Sequence, residues 1–161
     1  MGTKSALAAM KALDFDPHEK KHKDLVVYVE TDRCMTDAVQ IVSGCTPGKR
    51  SLKYVDYGKF AATFVRLSTG EAYRVTTTKD FDKNLSVEEL LKAVAETPDK
   101  EMLLLQRVKV NIPETDLPGA PRERAICVTC GERVMDGRAV FDNDKAYCKA
   151  CLQGAYYSLC K

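Results

Sequence analysis

Four cysteines near the C-terminus restrict what this chain can fold into more than any other feature. They form two pairs, Cys127-x-x-Cys130-Gly131 and Cys148-x-x-Cys151, with seventeen residues between Cys130 and Cys148. That is the spacing of a zinc ribbon or treble clef, in which each pair supplies two thiolates to one tetrahedral ion. Arg133 to Phe141 alternates around Asp136-Gly137, which predicts a hairpin, and Leu152 to Leu159 reads as a helix. With Cys148 and Cys151 at the start of that helix, its dipole would favour their thiolate forms. A fragment this short has little core of its own, so its folding is expected to depend on the ion. A closed shell of four cysteines leaves no position for water or substrate, so the expected Zn²⁺ is structural rather than catalytic. Cys160 is a spare.

Seven cysteines are an odd number, which fits metal binding and free thiols better than a disulfide framework. The chain has 161 residues, 45% hydrophobic and 30% charged, enough for one main core plus a small appendage. No run approaches the ~18 apolar residues of a membrane span. The N-terminus also lacks the build of a secretory signal, so no membrane association is expected and the default location is the cytoplasm. Basic and acidic residues balance at 19 to 19 before Arg124, and stand at 6 to 4 from there on. Neither part has the basic excess that phosphate neutralisation requires, which argues against nucleic acid as a partner.

Along the chain, Thr3 to Leu13 reads as a helix with Ala6, Leu7, Met10 and Leu13 on its apolar side. Leu25 to Glu30 is a β-branched run expected to be a strand buried on both faces. Thr31 and Asp32 can cap a helix from about Arg33 to Ser43, in which Met35, Ala38, Val39 and Val42 repeat at helical spacing and which Gly44 stops. Strands follow at Leu52 to Val55, Phe60 to Leu67 and Ala72 to Thr78. Ser86 and Glu89 form a capping box for a helix from Leu85 to Ala95. Pro98 opens a further short helix whose run Met102-Leu103-Leu104-Leu105 is expected to be buried. This order predicts an α+β fold with helices on one face of a mixed sheet. The expected division is a core over residues 1–111, a proline-rich linker over 112–123 and a four-cysteine module over 124–161.

Two upstream patterns could carry chemistry. His18-Glu19-Lys20-Lys21-His22 spells the H-E-x-x-H of zinc proteases, yet the stretch is uniformly polar and follows Pro17, so a solvated loop is the better reading. Cys34, beside Arg33 in the first turn of its helix, stands where dipole and cation both favour a thiolate, with Asp37 one turn further on. Cys45 lies eleven positions beyond Cys34, ~16 Å along an intact helix, so the two can share an ion only if the helix ends early and folds back. Cys34, Asp37 and Cys45 are a candidate second site for a transition metal in the core. A nucleophilic role for Cys34 would need a base, and the chain's two histidines are not close to it in sequence.

The run Val29-Glu30-Thr31-Asp32-Arg33-Cys34-Met35-Thr36-Asp37-Ala38-Val39-Gln40, then Ser43-Gly44-Cys45-Thr46-Pro47-Gly48-Lys49, Asp56-Tyr57-Gly58-Lys59 and Ala62-Thr63-Phe64, resembles the FmdE component of formylmethanofuran dehydrogenase and its homologues outside methanogens. The four-cysteine module is also similar to the finger of the DksA/TraR regulators. The first resemblance implies an α+β core like the C-terminal domain of glyceraldehyde-3-phosphate dehydrogenase, often paired into dimers. It also implies a core metal site associated with an N-terminal His-Gly-His-x-Cys-Pro-Gly motif, which would end just before Met1-Gly2 and so is either lost in this member or lies upstream of Met1. Carbon dioxide reduction in such enzymes belongs to molybdenum- or tungsten-pterin subunits, and no motif here resembles a pterin site. The resemblance therefore implies an accessory metal-binding protein, a homodimer or a partner of those dehydrogenase subunits. The alternative is a zinc-finger regulator acting through polymerase or nucleic-acid contacts.

Overall fold

The computed structural model describes residues 1–19 and 22–160, which divide into two compact units, Met1–Asn111 and Ile112–Lys161. The first unit begins with α1 (Gly2–Ala12), β1 (Leu25–Val29), α2 (Cys34–Ser43), β2 (Leu52–Tyr54), β3 (Ala61–Arg66) and β4 (Ala72–Thr77). It ends with α3 (Val87–Glu96), the single turn α4 (Asp99–Met102) and β5 (Leu103–Val108). Five strands make one sheet in the order β2-β1-β3-β4-β5. The β1–β2 pair is parallel, which the crossover through α2 requires, and the other pairs are antiparallel.

Alternation along the strands sets the two faces. Leu25, Val27 and Val29 of β1, with Leu52, Ala62, Phe64, Val75 and Leu103 from the other strands, point into one cluster with Ala6, Ala9 and Met10 of α1 and Met35 and Val39 of α2. Each of the larger side chains, fully buried, contributes roughly 1.5–3 kcal/mol. The helices thus cover one face of a mixed sheet, the α+β arrangement expected from the element order. The small residues of α1 let it approach α2 closely: a Cβ at Gly2 would lie 2.9 Å from the Ala38 Cβ. Leu7, expected on the apolar side of α1, is 39% exposed.

On the other face, Val26 and Val65 are buried opposite one another. Nearby, Glu30 accepts two hydrogen bonds from Arg74, at 2.7 Å from both Nε and Nη2. The bidentate pair raises the Arg74 pKa above its ordinary value, chiefly through the hydrogen bond to Glu30.

Local signals explain most boundaries. Gly44 stops α2 in the left-handed conformation, with φ 65° and its N–H bonded to Gln40 O. At the other end of α2 the cap position is Arg33, not Thr31 or Asp32, and no side chain caps it. Thr36 Oγ1 instead donates to Thr31 O at 2.5 Å. The capping box of α3 forms as its sequence predicts, with Ser86 and Glu89 bonded in both directions. The Leu103-Leu104-Leu105 run is a strand rather than helix, and only its first residue is buried. An apolar run this short carries no periodicity that separates helix from strand.

The second unit holds a 3₁₀ turn (Glu114–Asp116), β6 (Arg124–Ile126), β7 (Arg133–Met135), β8 (Val140–Asp142), β9 (Lys145–Tyr147) and α5 (Lys149–Gln153). Its strands form two hairpins, β6–β7 and β8–β9. Asp136-Gly137 does turn, with φ 60° and 66°, but the strands on either side of it pair with other partners, β6 and β9. The β8–β9 hairpin turns instead on Asn143-Asp144, both at positive φ, as a two-residue hairpin turn demands. The segment 112–123, expected as a linker, folds with this unit. Arg138 reaches Asp116 at 3.0 Å, and the Asp136 N–H donates to Glu123 O at 2.7 Å. No helix among the described residues is long and apolar enough to cross a membrane.

Candidate metal centre

The β6–β7 hairpin bends through the first cysteine pair. Cys127 N–H donates to Glu132 O and Gly131 N–H to Cys127 O, both at 2.9 Å. Gly131 has φ 74°, a left-handed conformation that glycine adopts without a Cβ clash. This tight knuckle turns both sulfurs to one side. The second pair comes from the start of α5: Cys148 is its N-cap, and the Cys148 Sγ accepts from the Cys151 N–H at 3.3 Å. The helix closes at Gly154, so it is shorter than the Leu152 to Leu159 reading and begins earlier.

The four Sγ atoms of Cys127, Cys130, Cys148 and Cys151 all lie within 4.8 Å of one another, and Cys130 and Cys148 sulfurs are 3.9 Å apart. A tetrahedral ion with sulfur ligands at about 2.3 Å sets its sulfurs about 3.8 Å apart. The arrangement therefore fits a four-thiolate metal ion, with Cys127 buried and Cys130 and Cys151 exposed.

The protons of the cluster are unevenly held. Backbone N–H groups of Cys130 and then Cys148 aimed at Cys127 pull its pKa down to about 6, whereas hydrogen bonds to Cys148 and then Cys130 push Cys151 up to about 12. Four sulfurs this close cannot all ionise without a cation between them, because each new thiolate meets its neighbour's charge. A metal ion would replace the protons and remove that conflict.

Among the described residues this is the one group of three or more histidine, cysteine or acidic side chains that could share an ion. Cys34, Asp37 and Cys45 are not brought together in such a group. Cys34 and Asp37 are exposed on α2, and Cys45 is 1% exposed within the core, where its Sγ donates to Leu25 O at 3.6 Å. Burial raises the Cys45 pKa, which keeps it a thiol. The H-E-x-x-H pattern does not form a protease helix among the described residues: His18 lies in a turn and His22 in irregular chain, while Lys20 and Lys21 fall outside them. Sequence reading missed the supports of the module, Asp116, Glu123 and Arg138, because such long-range pairings leave no local pattern.

Comparison with known proteins agrees with this architecture. A structural likeness extends over 98% of the chain to a tungsten formylmethanofuran dehydrogenase FmdE-like protein from Syntrophus aciditrophicus, covering 83% of that chain at 24% identity with a TM-score of 0.65. A curated relative from Archaeoglobus fulgidus, described as a probable S-adenosyl-L-methionine-binding protein, is 38% identical over 77 residues, 47% of this chain. The match spans about a fifth of that relative's length, 21%. The family model described as "FmdE, Molybdenum formylmethanofuran dehydrogenase operon" matches residues 1–113. On that match, which covers the whole five-stranded unit, the chain belongs to the FmdE family.

Proposed function

We propose that this chain is an accessory protein of one-carbon or molybdoenzyme metabolism, cytoplasmic and homodimeric, whose four-cysteine module is built on a structural Zn²⁺. The observation that carries the reading is the convergence of four sulfurs at tetrahedral spacing in a member of the FmdE family. Zinc is preferred because an all-thiolate tetrahedral shell with no open position suits a redox-inert ion held for structure. The module then serves as a rigid surface for protein contacts, the molybdenum- or tungsten-containing dehydrogenase subunits being the partners this family membership suggests.

Affinity capture from the native host with a tagged chain tests the accessory role. The molybdenum or tungsten subunits should co-purify with the wild type, and capture should fall with Cys148→Ser, which breaks the module. A wild-type chain that retains its zinc and captures none of those subunits would contradict the role and leave the metal assignment standing.

A further inference from the structure

Cross-strand pairing gives the β6–β7 hairpin two unlike sides. The register sets Arg124 opposite Met135 and Ile126 opposite Arg133. The ladder continues past both strand ends, with the Asp136 N–H donating to Glu123 O and the Cys127 N–H to Glu132 O. Alternation therefore puts Arg124, Ile126, Arg133 and Met135 on one side, and Ala125, Val134 and the acids Glu123 and Glu132 on the other. Burial agrees: the first four are exposed, Ile126 by 56% and Met135 by 45%, whereas Ala125 and Val134 are half-buried. The hairpin thus turns these two acids away from its two arginines. Other arginines of the unit are paired, Arg122 with Glu114 and Arg138 with Asp116. Arg124 and Arg133 make no ion pair and no side-chain hydrogen bond among the described residues.

We propose that this side of the hairpin binds an acidic amphipathic helix of a partner protein, two of whose carboxylates take Arg124 and Arg133 while its apolar side chains cover Ile126 and Met135. This rests on the reading of the module as a surface for protein contacts and names that surface. The four side chains form a checkerboard, with the arginines on one diagonal, about 7–8 Å apart, and the apolar pair on the other. Carboxylates at i and i+4 of a helix stand about 6 Å apart, within reach of both guanidinium forks, which match carboxylate geometry. A phosphate polymer fits less well. It would leave Ile126 and Met135 without apolar partners, and the 6 to 4 balance of the module adds little field beyond these two arginines. Arginine and methionine together are residues that protein interfaces concentrate.

The test titrates the full, metal-loaded chain, labelled with ¹⁵N, with a capped synthetic helix carrying glutamates at i and i+4 and leucines at i+3 and i+7. Shifts should centre on Arg124, Ile126, Arg133 and Met135. Replacing both peptide glutamates by glutamine should weaken binding at least about tenfold, and Arg124→Gln and Arg133→Gln in the protein about tenfold each. Ile126→Thr should weaken it several-fold, with zinc content and circular dichroism unchanged in all three variants. Binding indifferent to the arginines or to the glutamates, or an oligothymidylate of equal charge bound more tightly than the peptide, would overturn the proposal. So would a wild type that shows no shifts up to about 1 mM peptide, and that result would leave the accessory role to stand or fall on subunit capture.

Discussion

Arg74 and Glu30 meet across the sheet with Glu30 only 6% exposed, so the carboxylate depends on its partner. Arg74→Leu should destabilise the first unit by about 3 kcal/mol, because it strands a buried charge, and urea unfolding followed by circular dichroism checks it. Nothing in the local sequence announces this pair, since residues 44 positions apart meet only through the β1–β3–β4 register. Cys45 shows the opposite limit. Read from the sequence as a candidate ligand with Cys34 and Asp37, it packs in the core with its Sγ against Leu25 O. Cys45→Ser should cost about 1–3 kcal/mol through burial of a hydroxyl, measured as a lower urea midpoint with the fold retained.

Helix α3 shows how much of an element local rules decide. Its capping box was legible because Ser86 and Glu89 are three residues apart and need nothing else. None of the helix is buried, however, and Val87 and Leu91 are 68% and 64% exposed, so its stability leans on its ends. Ser86→Ala should cost about 1 kcal/mol. The Ser86 backbone N–H, and then its hydroxyl, hold the Glu89 carboxyl below its ordinary pKa. That contribution is therefore present above the usual carboxylate range and is lost as pH falls through the lowered value. Lower amide protection factors in α3 on acidification, after normalisation to the intrinsic exchange rate at each pH, should follow in the wild type and be less marked in Ser86→Ala.

The C-terminal end of α3 is held by Lys4 of α1. Its Nζ donates to Val94 O at 3.1 Å and Thr97 O at 2.6 Å and pairs with Asp99 at 3.1 Å. A cation there satisfies orphan carbonyls and the helix dipole together. Lys4→Met should raise amide exchange across α3 while leaving β1 and β3 protected. The hairpins of the second unit teach the complementary lesson: turn residues reveal where the chain reverses, but not which strands then pair, since β7 and β8 on either side of Asp136-Gly137 pair with β6 and β9.

The two units rest on different physics. The first has a packed core of aliphatic residues and Phe64, and the periodicities of 3.6 and 2 that build it are visible in the sequence. In the second, hydrophobic residues from Ile126 to Leu159 stay largely exposed, and Cys127 is the buried apolar residue of the unit among the described residues. A fold with so little core needs the cross-link an ion provides. The cysteine spacing made that legible, whereas the packing of residues 112–123 against the module was not. Affinity for the ion should rise with pH from below about 6, where Cys127 is protonated in the ion-free cluster.

Zinc K-edge X-ray absorption of the purified chain, with elemental analysis on the same sample, tests the metal centre most directly. The account predicts one zinc per chain with four sulfur neighbours at about 2.3 Å, and loss of that shell in Cys148→Ser while the first unit stays folded. A chain free of zinc with its second unit still folded, or zinc bound by nitrogen and oxygen instead of sulfur, would contradict it.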